Sequence, residues 1–485
     1  MSDPVEPRRS LERSKHVSFF LRCLRLLPQP YTSADVQRMT LGYFALGALD
    51  LLSSLDRIPS QERLELVDWV YAQQSPDGGF AGSPSTASSS SSYSTTTTIT
   101  TAATTATKRS REKYARPNVA MTYSALLILA ILRDDFSRLD RTQLLSFLHS
   151  LQCPLEGSFT DEPPPPTASS SCSSSSPRAD SEIRTSTARD KDVDVDRDPR
   201  FTYCALAIAD MLGDFDSIDT DRAYTYLASC QRYDGGFGAN STQESHSGMS
   251  YCCLAGLEIL ERFNRRRKDS SSMNVKADAS RYDVEAAVSF LVHRQVEPLL
   301  APAAVAGNGN EPQDNDDEEE EEEEEEEDKP SWKGGFQGRT AKLPPDVCYS
   351  FWNGASLSLL NQHGLIDAAS DTAYVLSCQS VVGGISKVPA DHPDLLHSYL
   401  GLAALSLHFH SQSQSQHQHQ HQHQAQDQNI QQDQQQDGQD DSNLLPDLDL
   451  DPDLELGLDL KPLDPVLNCT LETRAWISSH LGRPE

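Results

Sequence analysis

Three side chains with the chemistry of metal ligands stand at the starts of two apolar helical stretches: Asp346 and Cys348 in one, His397 in the other. A carboxylate, a thiolate and an imidazole are good zinc ligands, and an Asp-x-Cys pair can reach one ion from one helical turn. Three protein ligands rather than four leave a coordination position open, as catalytic zinc sites do. Spacing alone favours a plainer assignment: a helix-capping aspartate, a buried cysteine and an unrelated histidine. A second set is basic. His246, Arg339 and Lys342 fall in loops, and Arg200 stands at the start of another helix. Together they suit a diphosphate, with arginine as a planar fork, lysine as a point charge and histidine as a donor. Taken singly they also read as solvated loop charge. No Walker-type glycine loop accompanies them, so a nucleotide is not implied. Phe201, Tyr203, Tyr349 and Trp352 follow on apolar helices, where core packing is the ordinary explanation. An apolar funnel beneath a cationic rim equally suits an isoprenoid diphosphate.

The elements that must position these residues form a repeat. A helix ending in Gln precedes a Gly-Gly-Phe-like turn at Gly78, Gly157, Gly235, Gly334 and Gly383, with spacings of 79, 78, 99 and 49 residues. The shortest spacing defines the unit, and the excess in the others is loop. Each unit reads as two helices. Thr40 to Leu52, Val119 to Leu132, Phe201 to Leu212, Gly248 to Ile259, Val347 to Leu360 and Leu395 to Leu407 are apolar almost all round. Those are expected to be buried inner helices. Amphipathic helices alternate with them at Glu62 to Gln73, Arg141 to Leu151, Thr220 to Gln231, Val284 to Gln295 and Ala368 to Gln379, with Leu471 to Leu481 as the expected sixth. The pattern predicts an all-α fold, an α/α toroid of six inner and six outer helices. The turn glycines and the inner-helix starts would line one mouth.

Composition narrows the class. The net charge is −31, but residues 311–328 and 412–459 hold 15 and 11 of the carboxylates with no Lys or Arg, so 26 of those charges sit in two segments. The remainder is near neutral, and acidity on this scale argues against nucleic-acid binding. Low-complexity insertions are expected at residues 83–114, 163–198, 301–330 and 411–459, too polar to offset the entropy of ordering them. The whole of 1–485 then reads as one toroid with disordered insertions. No apolar run is long enough to span a bilayer and no secretory signal is visible, so a cytoplasmic location is expected. The cysteines lack the spacing of a disulfide framework.

Five motifs, in order, resemble protein prenyltransferase β subunits, with the type I geranylgeranyltransferases nearest. They are Asp198-Pro-Arg-Phe-Thr-Tyr-Cys204, Glu244-Ser-His-Ser-Gly248, Gly338-Arg-Thr-Ala-Lys342, Asp346-Val-Cys-Tyr-Ser-Phe-Trp352 and His392-Pro-Asp-Leu-Leu-His-Ser-Tyr399. The resemblance implies that Asp346, Cys348 and His397 bind one catalytic Zn²⁺ per β subunit. It implies that His246, Arg339, Lys342, Tyr349 and Lys387 face the diphosphate of geranylgeranyl diphosphate. Thr40, Arg200, Tyr203, Cys252 and Trp352 would line the isoprenoid channel. Phe44, Asn118, Ala120, Phe201 and Leu396 would surround the end of a Cys-a-a-X peptide, with Leu expected at X. An α subunit is implied as heterodimer partner, and Rho- and Rap-type small GTPases as substrates.

Three features carry the subtype. Thr40 matches a position where farnesyltransferases resemble one another in a bulky Trp that blocks the channel floor. Lys387 matches a lysine of type I enzymes, where farnesyl and Rab enzymes place an Asp that helps hold Mg²⁺; transfer without magnesium is therefore expected. The stretch from Lys15 to Pro28 looks like the type I opening helix. Departures are the extra residue between Lys342 and Asp346, Asn118 in place of His, and Met249 near the channel. Other assignments are a Rab geranylgeranyltransferase β subunit, against which Lys387 weighs, or a non-catalytic toroid used as a binding module.

Overall fold

The computed structural model describes residues 10–84, 116–163, 197–270, 282–296, 333–340, 344–411 and 458–482. Most of the four expected insertions, and Lys342, lie outside them. At the edges of two insertions the described chain is ordered: Arg197 pairs with Thr160, Asp198 caps a helix, and Leu458 is buried.

We label the helices α1 Arg13–Arg25, α2 Arg38–Leu51, α3 Ser60–Tyr71, α4 Val119–Ile131, α5 Arg141–Leu151, α6 Pro199–Leu212, α7 Thr220–Ser229, α8 Ser247–Ser270, α9 Val284–Val292, α10 Val347–Leu359 and α11 Ala368–Ser377. Residues 395–411 form α12, and Leu471–His480 form α13. Among the described residues, α2, α4, α6, α8, α10 and α12 make the inner ring. Their Ala, Gly, Ser and Leu side chains are buried on nearly every face. The ring closes where α2 meets α12: a Cβ at Gly47 would lie 2.8 Å from the Tyr399 ring, so only glycine admits that approach.

The outer ring is built by one repeated contact. Each Gly turn ending an outer helix is pressed against the next outer helix. A side chain at Gly78 would meet the Gln143 carbonyl of α5 at 2.1 Å. Glutamines at the helix ends reinforce the step. Gln231 both donates to Asp283 O and accepts from Asp283 N, each at 2.7 Å, and Gln295 bonds Asp367 in the same way.

The final step of this series corrects an expectation. The Gly383 turn after α11 packs on Lys15 of α1, and Gln379 accepts from Glu12 N at 2.9 Å and donates to Ser10 O at 3.1 Å. Buried His16 adds bonds to Gln379 and to Gly384 N. The sixth outer helix is therefore α1, not the stretch from Leu471 to Leu481. Helix α13 instead lies across the opposite end of the barrel: Trp476 donates to Asp134 O and Arg474 pairs with Asp210 at 2.7 Å. Its amphipathic pattern matches that of an outer helix, but the chain leading to it enters the barrel floor. There five inner-helix tyrosines donate to successive carbonyls: Tyr251 to Pro465, Tyr203 to Val466, Tyr123 to Leu467, and Tyr43 and Tyr399 to Asn468. Those bonds satisfy backbone oxygens that would otherwise be stranded in an apolar interior.

Candidate metal and diphosphate site

Asp346 ends an extended segment and caps α10, accepting from the Cys348 N–H at 2.9 Å. The helix-cap assignment is thus correct, and it does not compete with ligation, because a carboxylate has lone pairs to spare. The same turn places Cys348 beside the carboxylate. His397, at the start of α12 next door, brings Nε2 to 3.1 Å from Asp346 Oδ1, while its Nδ1 is 2.6 Å from Asp394 Oδ2. One donor atom from each of Asp346, Cys348 and His397 lies within 4.8 Å of the others, and among the described residues no other such group of three or more is found.

The electrostatics fit a cation. Burial pushes the Cys348 thiol well above its ordinary range, with Asp346 adding repulsion. A thiolate there needs a positive partner. Burial also disfavours a charged His397, but hydrogen bonds to Asp346 and Asp394 outweigh it and raise its pKa to about 9. The same two carboxylates that favour a proton on the ring would favour a metal cation in its place. A thiol, carboxylate and imidazole suit zinc, and the Asp394–His397 bond is the outer-shell carboxylate that orients ligating histidines. Lys387 stands 3.7 Å from Asp346 Oδ2 at the edge of the cluster, and is exposed.

The basic set converges on the same mouth. The His246 Nδ1 accepts from Gly248 N–H at 3.0 Å, which puts the ring proton on Nε2, 3.1 Å from the Tyr349 hydroxyl. Gly338 makes that pairing possible: a Cβ there would sit 2.1 Å from the Tyr349 ring. Ser247 N donates to Gly338 O at 2.9 Å, so the loops bearing His246 and Arg339 are tied together. Arg339 is paired with Glu244, and Arg200 with Asp198 at 2.5 Å. Burial, then Arg339 and Arg200, pull His246 down to about 4, which keeps it a neutral donor.

Of the expected channel residues, Tyr203 and Cys252 are buried and Thr40 and Trp352 half-buried, while the Arg200 side chain is exposed. Tyr203 spends its hydroxyl on Val466 and on neighbouring tyrosines, so it offers only its ring. Cys252 is buried near Arg200. Trp352 packs on Tyr251 at 5.0 Å, and half-buried Thr40 bonds Ser124 at 3.0 Å. Of the expected peptide contacts, Phe44 stacks on Tyr399, while Ala120, Phe201 and Leu396 are half-buried at helix starts. The Asn118 amide oxygen caps α4, accepting from Ala120 N and Met121 N, which accounts for that residue without a ligand. Sequence reasoning missed Asp394 and the tyrosine floor. Aligning the repeats would have exposed the latter, since Tyr123, Tyr203, Tyr251 and Tyr399 each follow a Thr or Ser one step earlier, with Phe351 at the fifth such position.

A closed α/α barrel whose mouth gathers a candidate metal triad and several basic side chains defines the class of the protein as a helical toroid. The chain belongs to the prenyltransferase α-α toroid family, whose domain profile matches residues 11–469. It is 29% identical to the geranylgeranyl transferase type-1 subunit beta of Arabidopsis thaliana, over 84% of this chain and 88% of that one. The corresponding Dictyostelium discoideum subunit is also 29% identical, over 82% of this chain and 90% of its own length. The Candida albicans protein geranylgeranyltransferase-I, solved complexed with GGPP, has the same fold, with a TM-score of 0.62 at 22% identity over 97% and 99% of the two chains.

Proposed function

We propose that this chain is the catalytic β subunit of a type I protein geranylgeranyltransferase. It transfers a C20 group from geranylgeranyl diphosphate to the cysteine thiol of a C-terminal Cys-a-a-X sequence, with Leu usual at X. The observation that carries the reading is the meeting of Asp346, Cys348 and His397 with His246, Arg339 and Tyr349 on one mouth. Likeness to type-1 β subunits along four-fifths of the chain supports the subtype.

Asp346, Cys348 and His397 would hold zinc, with Asp394 fixing the histidine. Zinc in that position supplies a Lewis acid that lowers the pKa of an incoming cysteine thiol. The reaction joins the substrate sulfur to C1 of the prenyl chain and breaks the bond from C1 to the diphosphate oxygen. The Nε2–H of His246, the Tyr349 hydroxyl and the Arg339 guanidinium then donate to the departing diphosphate, where negative charge grows. Lys342 joins them by resemblance. Lys387 supplies a fixed ammonium where related enzymes use a metal ion, so magnesium is not required. The apolar barrel, floored by the tyrosines, receives the chain and excludes water from it. The expected setting is the cytoplasm, with an α subunit as partner and Rho- and Rap-type small GTPases as acceptors.

The test is zinc content of the chain purified with its α subunit, then transfer to a Cys-a-a-Leu peptide with and without Mg²⁺. One zinc and magnesium-independent transfer are expected. Absent zinc would sink the catalytic reading, and strict magnesium dependence would sink the role of Lys387.

A further inference from the structure

Eight residues before Gln74, Gln152, Gln231, Gln295 and Gln379, the glutamines that follow five of the outer helices, stand Leu66, Leu144, Ala223, Ala287 and Asp371. Four of these positions hold apolar side chains turned toward the core; the fifth holds a carboxylate with no solvent exposure at all. Asp371 is also bonded in a particular way. Its Oδ1 accepts from the Ser350 hydroxyl at 2.7 Å, and its Oδ2 lies 2.7 Å from His408 Nε2. The bonds continue from His408 Nδ1 to His363 Nε2 at 3.2 Å, and from His363 Nδ1 to Ser411 at 2.8 Å. A buried carboxylate is costly unless its partners are complete, and here they are.

The two ends of this clasp matter most. Ser350 belongs to α10, two residues beyond Cys348, and faces outward where Cys348 faces the mouth. His408 belongs to α12, eleven residues after His397, which is three helical turns on the same face. Its ring also lies over α10 at Gly354, with a Cβ there only 4.0 Å away. Asp371 therefore bonds, through one residue each, the two helices that carry the three expected metal ligands.

We propose that Asp371 is a positioning residue for the zinc site: it fixes the separation and rotation of α10 against α12, so that Asp346 and Cys348 meet His397. This inference rests on the catalytic reading above. Its support is that the polar bonds are directional, whereas the Leu or Ala used in the other repeats would let the helices slide. A metal site loosened in this way loses affinity, as when an outer-shell partner is removed, by about tenfold or more.

The test uses the full chain purified with its α subunit, and reads zinc affinity by chelator competition and the absorption spectrum of the Co²⁺-substituted site. Asp371→Asn keeps the shape of the side chain. The triple variant Ser350→Ala, Asp371→Leu, His408→Leu makes the clasp apolar, with leucine at the position that Leu66 and Leu144 hold in two other repeats. Both are expected to weaken zinc binding about tenfold or more and to alter the Co²⁺ spectrum, with the triple variant regaining the thermal stability that Asp371→Leu alone loses. Wild-type zinc affinity and spectrum in Asp371→Asn or in the folded triple variant would overturn the positioning role. A wild-type chain without zinc would overturn the catalytic reading with it, so the two failures are distinct.

Discussion

The imidazole of His397 is held between two carboxylates, with Nδ1 2.6 Å from Asp394 and Nε2 3.1 Å from Asp346. Asp394 precedes His397 by one helical turn and also accepts its backbone N–H at 2.9 Å, so cap and orienting group are one residue. Replacing Asp394 by Asn should leave the helix capped but weaken the hold on the ring. We expect zinc affinity to fall about 10- to 100-fold by chelator competition. His397→Ala should lose the metal and the activity together, with a melting temperature close to that of the metal-free wild type.

His246 gives a pH signature. Burial with Arg339 and Arg200 lowers its pKa from 6.5 to about 4, so between those values the unfolded chain binds a proton that the folded chain refuses. Its contribution to stability is therefore whole above pH 6.5 and is lost as pH falls toward 4. Melting temperatures of wild type and His246→Gln, compared from pH 7.5 to 4.5, should converge toward, or cross at, the acid end. A difference that widened on acidification would contradict the buried neutral donor.

The Gly383 backbone has φ of +87°, and an added Cβ would strike the Lys15 carbonyl. Gly383→Ala should therefore cost about 2 kcal/mol or more, since both conformation and contact oppose it. Denaturant unfolding measures this. An unchanged midpoint would mean that α1 does not close the ring as described.

Chain-length selection should answer to Thr40, which bonds Ser124 at 3.0 Å beside Met121. Thr40→Trp would fill space in the barrel. The ratio of kcat/KM for the C20 over the C15 diphosphate is expected to drop about tenfold or more. A ratio that stayed put would place the chain's end elsewhere.

Much of the site was legible because its parts are local. Asp346 and Cys348 share one turn, and each basic residue sits in a short motif. The inner and outer helices announced themselves by which faces are apolar, a property written in residues three and four apart. Lys387 could be expected beside the site, yet its 3.7 Å approach to Asp346 depends on how the last Gly turn folds back. Asp394 looked like one polar residue among several until its distance to His397 was known.

The sequence by itself determined the repeat, the alternation of buried and amphipathic helices, the turn glycines and the kinds of side chain at the mouth. Only the tertiary structure decided which helix completes the outer ring, since α1 and α13 are both amphipathic and differ in what long-range surface they fit. It also decided that five tyrosines share their protons with residues 465–468, and that one buried aspartate joins the two ligand-bearing helices. Helix formation is a matter of neighbours along the chain. Closure of a ring depends on the mutual fit of surfaces hundreds of residues apart, which no local pattern encodes.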